Sequence, residues 1–173
     1  MRVRERRPED FRVLGEILER VRLLDGYPVY LPNNDSDAFL KVSSDAPAWV
    51  AEMAGGVVGH VGLSFHPRPS VERILRDAQT PSPFAHVTRL FVDPPARHQG
   101  VASSLLDHAL EEAHRLGATA TLDVVTRDLA AIALYESRGW RRVGEVQLDI
   151  PDFPRFAEYV YVEPGPSSSF RGG

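Results

Sequence analysis

The stretch from Phe84 to Val125 constrains the fold more than any other part of the chain. It opens on an apolar run, FAHVTRLFV (84–92), crosses DPPARHQ, becomes periodic from Gly100 to Leu116, and closes on ATLDVV (120–125). In the periodic part Ala102, Leu105, Leu106, Ala109, Leu110 and Ala113 fall on one helical face, with Ser103, Asp107, Glu111 and Arg115 opposite. Gly117 stands where a helix commonly ends in a left-handed residue. A strand, an amphipathic helix and a second strand make a parallel crossover, which is right-handed in almost every known case. The chain is therefore expected to be α/β (α+β), with a sheet that is at least partly parallel.

The flanks extend this pattern. Residues 2–6 alternate as a first strand, and Arg2, Arg4, Arg6 and Arg7 read as its solvated face. Pro8, Glu9 and Asp10 supply helix-start chemistry. Phe11, Leu14, Ile17, Leu18 and Val21 then follow at helical spacing, predicting a helix over about 8–24. Residues 25–46 are rich in turn formers and predict at most a short helix, Ser36 to Leu40, capped near Asp35. AWVAEMAGGVVGHVGLSF reads as a hairpin, with strands at about 48–53 and 57–65 around Ala54-Gly55-Gly56. Residues 66–83, with Pro67, Pro69, Pro81 and Pro83, read as a long functional or mobile connection. Another helix is predicted at about 129–138. RRVGEVQLDI and FAEYVYVE form a final antiparallel pair, and PGPSSSFRGG (164–173) is an expected disordered tail.

Composition narrows the function. A chain of 173 residues has the size of one domain, expected over 1–163. The absence of cysteine excludes a disulfide framework, a thiol nucleophile and a Cys-based zinc site. A net charge of −4, from 24 acidic and 20 basic residues, argues against a nucleic-acid partner. No stretch approaches 18 apolar residues and MRVRERRPEDF lacks an apolar signal segment, so a cytoplasmic protein with no membrane partner is expected. His108 and His114 lie six apart, about 240° around a helix, and cannot chelate one ion. No metal is expected. His60 and His66 flank an apolar strand and read as packing or outward-facing residues.

The most informative residues precede the long helix. The first N–H groups of a helix lack intrahelical partners and its dipole favours negative charge there, so a phosphate fits such a site. Gly100 and Ala102 allow close approach, Arg97 adds a cation and Ser103 a hydroxyl. Neither G-x-x-x-x-G-K-[ST] nor G-x-G-x-x-G is present, which removes the P-loop NTPases and the Rossmann enzymes. An ordinary loop remains an equal reading of these residues alone.

The pattern R-x-x-G-x-A (Arg97, Gly100, Ala102), after LFVDP and before an amphipathic helix, resembles the acyl-CoA loop of the GNAT superfamily of N-acetyltransferases. DLAAIALYESRGW (Asp128–Trp140) is similar to that family's N-x-x-A-x-x-L-Y-x-x-x-G-F segment through Ala131, Leu134, Tyr135 and Gly139. The resemblance covers roughly residues 2–163. It implies a mixed central sheet of about seven strands with helices on both faces, and fourth and fifth strands splayed into an acyl-CoA cleft. Main-chain groups of Leu90, Phe91 and Val92 would bond the pantetheine arm, with the Val92 N–H facing the thioester carbonyl. Amides of Gln99, Gly100, Val101, Ala102 and Ser103 would hold the pyrophosphate beside Arg97. Three residues depart from the family pattern: His98 at a frequent glycine, Asp128 at a common asparagine beside the cofactor arm, and Trp140 at a phenylalanine.

The implied reaction is N-acetyl transfer from acetyl-CoA to a primary amine of a small molecule or protein, through a tetrahedral intermediate. Tyr135 matches the family's general acid; packing on its own helix is the competing role. A histidine titrates near neutrality, so His86 is a candidate base, with Asp123 and Glu158 as alternatives. The acceptor pocket is expected from Tyr27–Leu40, residues 66–83 and the Asp149–Tyr159 hairpin. Tyr27, Tyr30, Phe153 and Phe156 would wall it, and Asp35, Asp37 and Asp152 would attract a cation. A catalytically silent acyl-CoA-binding or sensor module is the alternative function, and exposed C-terminal strand edges permit a homodimer.

Overall fold

In the computed structural model, which describes residues 1–41 and 46–165, the crossover forms as the sequence predicts. Strand β4 (Phe84–Val92) leads through one 3₁₀ turn into α4 (Val101–Arg115), and α4 returns to β5 (Thr119–Val125), parallel to β4. Helix α4 ends as expected: the Ala118 N–H donates to the Ala113 carbonyl, the Gly117 N–H donates to that of His114, and Gly117 is left-handed.

Around this unit lie β1 (Arg2–Glu5), α1 (Asp10–Asp25), α2 (Ser36–Leu40), β2 (Ala48–Met53) and β3 (Gly56–Ser64) on the N-terminal side. After β5 come α5 (Leu129–Ser137), β6 (Arg141–Leu148) and β7 (Phe156–Val162). One seven-stranded sheet runs β1-β2-β3-β4-β5-β7-β6, antiparallel except at β4–β5. The sheet separates two sets of helices. On one face α4 and α5 bury Trp49, Ala51, Val61, Val87 and Leu122. On the other, α1 packs Leu14, Ile17 and Leu18 over Val50 and Phe91. Gly59 is required beneath α4, because a Cβ there would lie 3.0 Å from Leu105 and 3.1 Å from the Phe91 carbonyl oxygen.

Two expectations are corrected. Residues 66–83 are not structureless: α3 spans Pro69–Asp77 and buries Val71 and Leu75 against Phe84, Val146 and Val160. Pro69 begins this helix rather than breaking it, since a first-turn proline loses no intrahelical bond. The arginines in and just after β1 are not uniformly solvated either. Arg4 turns inward to Asp10 (2.7 Å) and Glu52 (2.7 Å), and Arg6 reaches the Leu40 carbonyl and His60. Of the expected tail, residues 166–173 lie outside the described part. Among the described residues no helix is long and apolar enough to cross a membrane.

The feature that positions the site is an irregularity in β4. His60 pairs with Phe91 but Gly62 pairs with Thr88, so β4 carries an extra residue, and Arg89 takes a left-handed φ of 52°. The bulge exchanges the faces. Ala85 and Val87 pack toward α4, whereas beyond Arg89 it is Val92 that does so, and Phe91 turns toward α1. His60 braces this geometry from a fully buried position: Nδ1 lies 2.8 Å from the Arg89 carbonyl oxygen and Nε2 3.1 Å from Arg6 Nη1. A guanidinium only donates, so Nε2 accepts and Nδ1–H donates to Arg89, which assigns the neutral tautomer. Burial, with the nearby Arg6 and Arg89 charges, pushes the His60 pKa down to about 3 against the opposing pull of the Arg89 carbonyl.

The sign of its pH effect follows. The folded pKa lies below the ordinary value near 6.5, so the stabilisation is complete above about 6.5 and is lost as pH falls toward 3. A His60→Leu variant should be less stable than the parent at pH 7.5 by about 1–3 kcal/mol, through the unpaired Arg89 carbonyl. That gap should narrow by up to about 1.4 kcal/mol per pH unit below 6.5. Urea unfolding at pH 7.5, 6 and 5 measures both; a gap independent of pH would contradict the neutral buried histidine.

Candidate functional site

Beyond the bulge, β4 and β5 part. Their ladder covers only Phe84–Val87 against Thr119–Leu122, while Asp123–Val125 continue to pair with β7 on the far side. The space between Thr88–Val92 and Asp123–Val125 is a cleft of about 1040 Å³. The Asp93 N–H donates to the Val58 carbonyl on β3, and Phe91 pairs with His60 there. Strand alternation therefore directs the main-chain groups of Leu90 and Val92 into the gap, while those of Phe91 belong to β3.

At its α4 end this cleft adjoins a smaller cavity of about 240 Å³, lined by Val92, Arg97, His98, Gly100, Ala102 and Ser103. Gly100 is the N-cap of α4, with φ 78° and open space where a Cβ would stand. It offers no side-chain cap, and the N–H groups of Val101, Ala102 and Ser103 have no hydrogen-bond partner among the described residues. His98 is also left-handed, at φ 60°. Arg97 lines both cavities and forms an ion pair with Asp25 at 2.5 Å, so an incoming anion competes with a carboxylate there. The Gln99 side chain turns away to the Pro95 carbonyl.

The opposite wall of the large cleft is α5. Asp128 caps it, accepting from the Ala131 N–H at 3.1 Å, and Asp128, Ala131, Leu134 and Tyr135 line the space. The buried Tyr135 ring packs on Trp140 (5.9 Å between centroids) and Tyr161 (6.3 Å). Its hydroxyl makes no hydrogen bond among the described residues. Burial raises its pKa, reinforced by Tyr27, Asp128 and Asp123, so it keeps its proton through neutral pH. Packing and cleft-lining thus coexist in one residue.

The other end of the cleft holds a cluster of ionisable side chains built by strand register. His86 of β4 stands opposite Thr121 of β5; Asp123 follows two residues along, and Glu158 of β7 projects from the same sheet face. His86 is buried with both ring nitrogens engaged, Nδ1 with Thr121 Oγ1 (2.9 Å) and Nε2 with Asp123 Oδ2 (3.2 Å). Arg68, the N-cap residue of α3, bridges Asp123 (2.7 Å) and Glu158. The two carboxyls are driven apart. Burial raises Asp123, but His86 and Arg68 outweigh it and hold the group down at about 2. Burial and the Asp123 charge push Glu158 up, against the pull of Arg68.

Aromatic residues close this end. Tyr27 packs on Phe39 and Phe91, and Tyr30 meets Phe153 at 5.3 Å, which meets Phe156 at 6.0 Å. Phe153, Asp35, Asp37 and Asp152 do not themselves line the cleft; Phe153 backs it through Tyr30 and Phe156. Asp35 instead caps α2 through the Ala38 N–H. Sequence reasoning missed Arg68 and Arg89, both cleft-lining. Pro69 carried a signal for Arg68, as a first-turn proline marks the residue before it as an N-cap; nothing local marked Arg89.

Comparison with known proteins agrees with this architecture. Residues 15–140 match the model of the acetyltransferase (GNAT) family. The chain is 36% identical to human N-acetyltransferase 8 over 98 residues, which are 56% of this chain and 39% of that protein. It is 42% identical to the [ribosomal protein bS18]-alanine N-acetyltransferase of Escherichia coli K12 over 57 residues, 32% of this chain and 38% of the relative. It thus spans well under half the length of these curated relatives. Arabidopsis thaliana NAA60 superposes with a TM-score of 0.72 in its bisubstrate-analogue complex and 0.69 in its acetyl-CoA complex. Identity is 19% in both, with 93% of this chain and 95% and 96% of the neighbour covered. The seven-stranded mixed sheet, the family model and the curated relatives converge: the chain belongs to the acetyltransferase (GNAT) family.

Proposed function

We propose that the protein transfers an acetyl group from acetyl-CoA to a primary amine. The observation that carries this reading is the β4–β5 gap, whose inward-facing main chain at Leu90 and Val92 runs into an α4 terminus with unpartnered N–H groups. An extended amide-bearing arm that ends in a diphosphate matches that sequence of donors and acceptors. Arg97, His98, Gly100, Val101, Ala102 and Ser103 would surround the diphosphate, and Asp128 and Ala131 the arm.

The amine attacks the thioester carbon, a C–N bond forms, and the carbonyl oxygen takes up negative charge facing the Val92 N–H. Collapse breaks the C–S bond. Tyr135 gives its proton to the departing sulfur, and the burial that raises its pKa equally raises the proton affinity of a thiolate in the same cleft. For the first proton transfer, the environment favours Glu158 over His86. Both His86 nitrogens are engaged, and Asp123 is held too acidic to be an effective base. Glu158, pushed up by burial and by the Asp123 charge, accepts the ammonium proton, while His86 and Asp123 hold the charge environment around it.

Thiol release with acetyl-CoA and a panel of primary amines tests the reading. Turnover is expected with at least one amine; tight acetyl-CoA binding without release for any amine would leave a silent binding module. Tyr135→Phe should lower kcat by roughly 10²–10⁴-fold while the acetyl-CoA Kd stays within about threefold. Unchanged turnover would remove Tyr135 from the chemistry. A base acts ionised, so kcat/KM of the parent should rise with pH through a group above the usual carboxylate range. In Glu158→Gln that rise should disappear; a rise that persists there assigns the base elsewhere.

A further inference from the structure

Arg89 is unused by this mechanism, and its surroundings are unusual. The cleft is lined by four arginines, of which Arg68 holds two carboxylates, Arg97 holds one and Arg127 is exposed. Arg89 is half-buried, yet forms no ion pair among the described residues. Its Nε donates to the Phe39 carbonyl, Nη1 reaches Thr88 Oγ1 at 3.4 Å, and Nη2 has no partner among the described residues. The guanidinium lies over the Phe39 ring with Cζ 5.0 Å from the centroid. Its backbone is fixed by the bulge and by His60. A rigidly held cation with a free donor therefore faces the cleft. Across from it stand Asp123 and Glu158, close enough for the Asp123 charge to act on Arg89 though the two do not touch. Burial lowers the Arg89 pKa, as expected for a cation lacking a counter-ion.

The acceptor end thus presents Arg89 on one side and the Arg68-bridged carboxyls of Asp123 and Glu158 on the other, with Tyr27, Phe39 and Phe156 lining the same space. We propose that Arg89 binds a carboxylate carried by the acceptor, so that the acceptor is an amino acid whose amine faces Glu158 and Asp123. This rests on the acetyl-transfer reading and narrows its acceptor. A protein N-terminus carries a neutral amide beside its amine, and a plain amine carries neither group. Planar, multi-donor recognition of a carboxylate is the chemistry to which arginine is suited and lysine less so. Buried pairing of this kind discriminates strongly, because the analogue without the charge leaves the cation unpaired.

The test compares phenylalanine, phenylalaninamide and phenethylamine as acceptors, following thiol release and correcting each rate for its fraction of free amine. The expected result is a kcat/KM for phenylalanine roughly ten- to a hundredfold above the other two, residing mainly in KM. In Arg89→Met this preference should fall to about one, and Arg89→Lys should recover part of it. Thermal unfolding and acetyl-CoA binding of each variant report whether it is folded. Should Arg89→Met not fold, the parent panel and the lysine variant decide. Equal use of all three acceptors, or a preference for phenylalaninamide, overturns the carboxylate proposal while leaving acetyl transfer intact. A preference that survives Arg89→Met moves the carboxylate elsewhere and overturns it too. Thiol release with none of the three, despite normal acetyl-CoA binding, overturns the proposal; release with other amines then separates that failure from failure of the transferase reading.

Discussion

The extra residue in β4 is the constraint on which the rest depends. A regular strand would have continued its ladder with β5 along its full length and kept one alternation of faces from Phe84 to Val92. Instead Arg89 adopts a left-handed conformation, which costs energy in any residue with a side chain and persists only where surroundings enforce it. His60 supplies much of that enforcement from the neighbouring strand, donating to the Arg89 carbonyl while Arg6 donates to its other nitrogen. Three consequences follow from this one defect. The parallel ladder stops after four pairs, Leu90 and Val92 turn their main chain to the gap, and Phe91 joins the α1 side of the core.

The gap then meets a second constraint, the start of α4. Gly100 reaches a conformation that admits no ordinary side chain cheaply, and without a capping side chain the first amides of the helix remain available. At the far end, strand register rather than any local motif places His86, Thr121, Asp123 and Glu158 on one sheet face. Their roles separate by environment. Asp123 touches both His86 and Arg68 and stays ionised, while for Glu158 burial and the neighbouring Asp123 charge outweigh the pull of Arg68 and His86. Two carboxyls within reach of one arginine therefore have opposite proton affinities.

Short-range patterning carried most of the fold. The α4 periodicity, the Gly117 terminus, the hairpin at Ala54-Gly55 and even the Asp35 cap of α2 are encoded within a few residues of where they act. The α3 helix was less legible because its nine residues sit among prolines and its apolar signal is only Val71, Ile74 and Leu75. The loop before α4 was legible as a motif. At the far end His86, Asp123 and Glu158 were legible one by one as candidate bases, but their meeting with Arg68 was not, since the four come from separate elements and are joined only through tertiary pairing. Arg89 illustrates the limit: a single arginine in FAHVTRLFV gives no hint that its strand bulges there, because the bulge is set by pairing with β3. His60 was equally opaque, since its partner carbonyl lies 29 residues away in sequence.

The central claim is that the β4–β5 gap and the α4 terminus form one continuous site for acetyl-CoA. Residue-resolved amide hydrogen exchange, with and without saturating acetyl-CoA, tests it most directly. The predicted result is new protection at Leu90 and Val92 and at Val101, Ala102 and Ser103, with Phe91 unchanged because its main chain already pairs with β3. Protection confined to other parts of the chain, or none at saturating ligand, would contradict the account.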